Sequence, residues 1–247
     1  MIILVDIGNS NIVVTRHDGA DFSTMYRYNT DKTKSVDEYF VILKDIIFDA
    51  KAFVISSVVP ELNIIFKNLV QKYLNLDAMF IGPGVKTGIK IITDNPKEVG
   101  SDIVSSAAAV TENYSKNAIV VDMGTATTFT LIEEKVIKGV AICAGLVTQK
   151  NAVVGNASQL SQFEFRTPTK ALGSNTIDAL NSGLIFGNSE MIKGMVKRIK
   201  QSTKKDVEVI ITGGASRFVK DVLQTENFIF DDLLLLKGLL VIYNKNK

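Results

Sequence analysis

Short apolar runs and segments of helical period take turns along the chain. Ile2 to Val5 and Ile12 to Thr15 flank a polar turn, which predicts strands over 2–6 and 11–16 with a third, polar strand near 22–28. Apolar residues then recur at helical spacing over 36–48 and 60–74, with strands expected at 52–56 and 77–81. Gly82-Pro83-Gly84 opens an excursion that ends in Asp94-Asn95-Pro96. Val104, Ala107, Ala108 and Thr111 mark the apolar side of a helix over 100–114. Beyond Ser115 to Asn117 the opening pattern returns as three strands, at 118–122, 127–132 and 135–142. Helices over 145–162 and 175–200, a strand at 207–211, a glycine turn leading into a helix, and a closing helix over 231–244 complete the reading. This order predicts an α/β fold with mixed sheets, divided into lobes 1–115 and 116–247.

The return extends to individual residues. Asp6-Ile7-Gly8-Asn9-Ser10-Asn11 and Asp122-Met123-Gly124-Thr125-Ala126-Thr127 each end an apolar strand in Asp, an apolar residue, Gly and small amide or hydroxyl residues. Gly lets the backbone turn and approach a ligand closely, and the residues after it add donors beside exposed N–H groups, a combination that suits phosphate. An Asp in such a turn would repel phosphate unless it holds Mg²⁺ or the waters around that ion. A single copy also reads as an ordinary hairpin turn. Two copies point instead to one unit used twice, as two similar lobes facing each other across a cleft. That is the plan of the duplicated actin-like, or ribonuclease H-like, two-lobe fold.

Composition narrows the function classes. The 247 residues carry a formal net charge of +2, and the lysines are scattered without aromatic interleaving, so no nucleic-acid partner is expected. The single cysteine, Cys143, excludes intrachain disulfides and fits a reducing compartment. No leader peptide is visible, and the most apolar stretch, Leu233 to Tyr243, falls far short of the ~20 residues that span a bilayer. A cytoplasmic protein with no membrane partner is therefore expected.

Two further segments carry candidate chemistry. Thr212-Gly213-Gly214-Ala215-Ser216 puts bare backbone where a flat ligand such as adenosine could lie, although a plain turn would look the same. Asp102, in Val99-Gly100-Ser101-Asp102, either caps the helix that follows or serves as the base that orients an acceptor hydroxyl. Competing signatures are missing: the sequence has no P-loop, its one histidine, His17, lies in a strand and reads as structural, and Cys/His metal sites cannot be built.

Taken together these residues resemble the type III pantothenate kinase family, also labelled the Bvg accessory factor family. The likeness runs almost end to end through D-x-G-N-[ST]-N at Asp6 to Asn11, S-S-V-V-P at Ser56 to Pro60, D-N-P-K-E-V-G at Asp94 to Gly100, D-M-G-T-A-T-T at Asp122 to Thr128, G-x-N-T at Gly173 to Thr176, and T-G-G at Thr212 to Gly214. The resemblance implies ATP-dependent phosphorylation of pantothenate, the first step of coenzyme A synthesis, by a homodimer. It places Asp6, Ile7, Gly8, Asn9, Ser10, Asn11, Ile12 and Val13 at ATP and Mg²⁺, with Thr125 also on the nucleotide, to which the bare turn at Gly213 and Gly214 would add a place for adenosine. Asp122 would hold a monovalent cation, K⁺ or NH₄⁺, and Asp102 would be the catalytic base. Thr93, Gly100, Ser101, Ile103 and Thr176 would join Asp102 around pantothenate.

The departures from the family pattern cluster on the acceptor side. Ile103 stands where the family has Arg, Thr93 where it usually has Tyr, and the stretch Gly139 to Gly145 lacks one Gly and the Pro of G-G-x-I-x-P-G. An aliphatic side chain cannot imitate a planar charged donor. The alternatives this leaves are a non-catalytic or weakly active nucleotide-binding regulator, and a kinase for another small alcohol.

Overall fold

The computed structural model describes residues 1–156 and 163–247, and the last part of the helix expected over 145–162 lies outside the described residues. The chain forms two compact units. The first takes Met1–Ile89, Asp94–Glu112 and Leu234–Lys247; the second takes Lys90–Thr93 and Asn113–Leu233.

In the first unit, β1 (Ile2–Ile7), β2 (Asn11–His17), β3 (Tyr26–Asn29), β4 (Ala52–Ser57) and β5 (Ala78–Phe80) form a sheet in the order β3-β2-β1-β4-β5. The first three strands are antiparallel, and β4 and β5 run parallel to β1. Because side chains alternate across a strand, Ile3, Val5, Ile7, Ile12, Val14, Phe53 and Ile55 share one face. On it sit Tyr39 and Leu43 of α1 (Val36–Ile47) and Leu62, Phe66 and Leu69 of α2 (Pro60–Leu74). Local chemistry fixes where these helices begin and end. Ser35 and Glu38 form a capping box before α1, while Pro60 opens α2 and Asn75 closes it in the left-handed conformation. Leu4 and Val54 point the other way and are buried as well, on the side where the last helix lies against β1 and β4.

The second unit repeats the plan. β7 (Ala118–Met123), β8 (Ala126–Glu133), β9 (Val136–Ala144), β10 (Glu208–Thr212) and β11 (Ile229–Phe230) are ordered β9-β8-β7-β10-β11, with the same antiparallel and parallel pairings. A short strand, β6 (Lys90–Ile91), adds to the outer edge of β9. Ile119, Val121, Met123, Phe129, Val209 and Ile211 form the face against Leu146 of α4 (Leu146–Asn156) and Leu184, Ile192 and Val196 of α5 (Thr176–Ser202). The duplication read in two turns is thus a duplication of whole sheets.

Three expectations are corrected. The third strand begins at Tyr26 and not near 22, because the Phe22 end makes only an isolated bridge to His17. No long helix follows Gly213-Gly214: one 3-10 turn, Ser216–Phe218, and further turns take its place, anchored by buried Val219 and Leu223. The closing helix, α6 (Leu234–Asn244), belongs by its contacts to the first unit and not to the lobe 116–247. The reason is steric: an added Cβ at Gly238 would land on the carbonyl oxygen of Ser105, in the first unit's α3 (Ser101–Asn113).

His17 is buried in β2, its Nδ1 accepting from the Gly19 N–H at 3.2 Å and its ring set edge-on to Phe22, the structural part expected of it.

Candidate active site

In the first unit the site is built where β1 and β4 end. The tip between β1 and β2 is Asn9-Ser10, closed by Gly8 N–H donating to Asn11 O at 2.9 Å. Thr30 braces it from β3's end: its hydroxyl donates to Gly8 O at 2.6 Å and its N–H to Ser10 O at 3.0 Å. The carbonyls of Gly8, Ser10 and Asn11 are thus engaged inside the protein, while Asn9 and Ser10 at the tip are exposed.

Asp6 stands at the same level, beside Ser56 in the parallel β1/β4 register. Ser56 leads on to Ser101 at the start of α3, with 3.0 Å between the two hydroxyls. Ser101 Oγ also accepts from Ser57 N–H at 2.9 Å and donates to Ser57 O at 3.0 Å. One hydroxyl donates once and accepts twice, so Ser101 has its full complement of partners within the protein. It ties the first turn of α3 to β4 and thereby places Asp102 at the end of the sheet that carries Asp6. Ile12 and Val13, also expected at the nucleotide, are buried in β2, where Val13 pairs with Asp6.

Asp102 is half-buried, and its Oδ1 accepts from Ile103 N–H at 2.8 Å. Burial raises its carboxyl above the ordinary Asp value, and the Ile103 hydrogen bond opposes that only in part. Gly100 makes the room: a Cβ there would land on Asp102 Oδ1. Ile103 follows in α3, half-buried.

The second unit presents the other turn. Gly124 N–H donates to Ala126 O at 3.0 Å, which leaves Thr125 alone at an exposed tip, one residue shorter than in the first copy. The register accordingly differs, with Asp122 opposite Thr128 and Asp6 opposite Val13. Thr125 O accepts both the Gly145 N–H at 3.1 Å and the Thr148 hydroxyl at 2.6 Å. Gly213, at φ +90°, lies so close to the turn that an added Cβ would meet the Asp122 carboxylate and, at 2.6 Å, Met123 N. Ala215 N–H completes the join by donating to Met123 O at 3.1 Å. Gly213 is therefore needed for its contact with Asp122, and exposed Gly214 is the bare surface beside it.

Thr176 is exposed at the first position of α5, behind an Asn175 cap that accepts from Asp178 N–H at 3.0 Å. Thr93 belongs to the second unit and Ile103 to the first; the Thr93 hydroxyl is buried without a hydrogen-bond partner among the described residues. Sequence reasoning gave no part to Thr30, Ser56 or Thr148. Each is one hydroxyl brought in from a distant segment, and no local pattern marks such a residue.

No group of three or more His, Cys, Asp or Glu side chains able to hold a metal occurs among the described residues. One aspartate per turn fits an Mg²⁺ ion carried largely by phosphate and water.

Two sheets of the same order, each ending in an Asp-x-Gly turn, define the class: a duplicated actin-like fold. The profile of the type III pantothenate kinase family matches residues 2–198. The type III pantothenate kinase of Acholeplasma laidlawii is 40% identical over 248 residues, covering 100% of this chain and 99% of its own. That of Halalkalibacterium halodurans is 38% identical and fully covered on both sides. Among solved structures, a Campylobacter jejuni protein described as a Baf family transcriptional activator superposes with a TM-score of 0.64 at 23% identity, over 99% of this chain and 98% of its own. The chain belongs to the type III pantothenate kinase family. It is a phosphotransferase by that membership, which does not favour the non-catalytic alternative.

Proposed function

We propose that this protein transfers the γ-phosphoryl group of ATP to the primary hydroxyl of pantothenate, the first step toward coenzyme A. The observation that carries the chemistry is Asp102, held by Ser101 and given room by Gly100 at the end of the sheet that also delivers Asp6. Asn9, Ser10 and Thr125 would face the phosphates with donors, and Gly214 the adenosine. Mg²⁺ beside Asp6 would neutralise phosphate charge, and Asp122 would take K⁺ or NH₄⁺. As the acceptor oxygen bonds to phosphorus and the β–γ bridging bond breaks, the hydroxyl proton passes to the Asp102 carboxylate and ADP leaves. A carboxylate made more basic by burial is better suited to accept that proton. Thr176 would contact the acceptor, and the working form would be a cytoplasmic homodimer. Among the described residues no helix is long and apolar enough to cross a membrane.

The test is ADP release with Mg-ATP and K⁺, with and without pantothenate, for the wild type and Asp102→Asn. Pantothenate-dependent release that the variant loses is expected. Equal release with and without pantothenate would remove the acceptor assignment, and an active variant would remove Asp102 from its role.

A further inference from the structure

Two side-chain amides pair inside the second unit, Gln149 on the first turn of α4 and Asn188 in the middle of α5. Asn188 Nδ2 donates to Gln149 Oε1 at 3.0 Å, and Gln149 Nε2 donates back to Asn188 Oδ1 at 3.2 Å. The other proton on each nitrogen is also placed: Asn188 donates to Leu184 O at 2.7 Å and Gln149 to Ala144 O at 2.7 Å. An amide nitrogen has two protons, so neither residue has a donor to spare. Turning either amide over would set its oxygen against a backbone carbonyl, which fixes the orientation of both.

Asn188 stands where the helical period calls for an apolar side chain. It is 2% exposed, one turn from Leu184 and one from Ile192, both of which pack in the second unit's core. Burying an amide costs more than burying a leucine of similar size. Its hydrogen bonds offset that cost, and through Gln149 they reach the corner between β9 and α4. Gln149 clips this corner twice, by its side chain to Ala144 O and by its N–H to Gly145 O at 2.9 Å. The same corner supplies both donors on Thr125 O, the Gly145 N–H and the Thr148 hydroxyl. Gly145 leaves no slack between them, since an added Cβ would collide with the carbonyl oxygens of Gly124 and Thr125.

We infer that Gln149 and Asn188 are positioning residues for the nucleotide: the amide pair holds the β9–α4 corner, and the corner holds Thr125 in the shape that meets phosphate. The inference rests on the nucleotide reading of the Thr125 turn above. Neither amide is a catalytic residue; both act through Gly145 and Thr148.

The experiment uses Gln149→Leu, Asn188→Leu and the double variant. Each single change leaves one amide without its partner, so each should melt below the wild type. The double change replaces both amides by apolar groups of similar size, so its melting temperature should return most of the way. Mg-ATP binding, measured by calorimetry, should not return: its dissociation constant should rise about fivefold in all three variants, the worth of one typical hydrogen bond. KM for pantothenate should stay within about twofold, because the join lies on the nucleotide side. Exchange of the Gly145 amide proton, which bonds Thr125 O at 3.1 Å, should quicken several-fold in all three with no nucleotide present. Wild-type ATP affinity in the double variant overturns the inference, because the pair would then only fill the core, and so does unchanged Gly145 exchange. A wild type that binds no Mg-ATP removes the nucleotide reading, and Gly145 exchange alone then decides whether the pair holds the turn.

Discussion

Three consecutive residues at the start of α3, Gly100, Ser101 and Asp102, have separate tasks: Gly100 leaves room for the Asp102 carboxylate, Ser101 ties the helix to β4, and Asp102 is the proposed base. Replacing Asp102 with Asn keeps the shape and removes the proposed proton acceptor, so kcat should drop by about 10²–10⁴ while ATP binding stays within a few-fold. The same variant has a stability signature with a defined sign. Burial raises the Asp102 carboxyl above its unfolded value, so the native state holds the proton more tightly than the unfolded state does. Its favourable contribution is complete below the unfolded value of 3.8 and is lost as pH rises through the higher native one. Thermal melts of Asp102→Asn against the wild type should therefore show the variant gaining relative stability as pH rises from about 4 toward neutrality, and a gain toward acid would contradict the burial assignment. Gly100 has no reacting group, yet Gly100→Ala should lower kcat by one to two orders of magnitude, because the new methyl takes the place of Asp102 Oδ1. In the Asp102→Asn background the same change should cost far less turnover, since the two residues act on one atom position. Additive losses would separate them.

At the scale of elements, the turns were legible because they are local. Gly, Asn and the small hydroxyl residues announce a strand-turn-strand unit, and its repetition announces the second sheet. What joins α3 to β4 was not legible. Ser101 reads as a residue for the acceptor by resemblance, while the structure gives its hydroxyl three partners on Ser56 and Ser57, some forty-five positions earlier in the chain. The one-residue difference between the two tips was equally hidden, since Asp-x-Gly is the same in both and only the pairing of the following strand reveals it. Two-residue strands such as β6 and β11 are too short to show a period. A prediction follows for the joint itself. Ser101→Ala should destabilise by about 1–3 kcal/mol, since it leaves buried groups of β4 without partners. The melting temperature should then fall by several degrees, and kcat should fall more than KM for pantothenate rises, because the lost group positions Asp102 and leaves the acceptor's own contacts in place. A Ser101 whose removal changes neither melting nor turnover would mean that α3 is held by its apolar face alone.

At the scale of the whole molecule, the chain's last helix completes its first sheet. Reading lobes from sequence order assigns α6 to the second half, because nothing in an apolar segment names the surface it will cover. Its contacts assign it to β1 and β4, and Leu234, Leu236, Leu239 and Ile242 are all buried. Burying each such side chain is worth about 1.5–3 kcal/mol, so the four together reach about 6–12 kcal/mol. A typical domain has only about 5–15 kcal/mol of net stability, so the first unit should not survive without its final segment. The chain ending at Leu233 should accordingly lack a cooperative melt and be digested quickly by protease across 1–112, although every residue of the two Asp-x-Gly turns and Asp102 is still present. Gly238→Ala is the finer probe of the same packing. It lengthens one side chain by a methyl against Ser105 O and should cost about 1–3 kcal/mol, with a lower melting temperature and an otherwise native circular dichroism spectrum. A truncated chain that melts cooperatively near the wild-type temperature would show that β1 and β4 bury their second face without α6. The unit would then follow sequence order after all, and the contribution of the last helix to Asp6 and Asp102 would be nil.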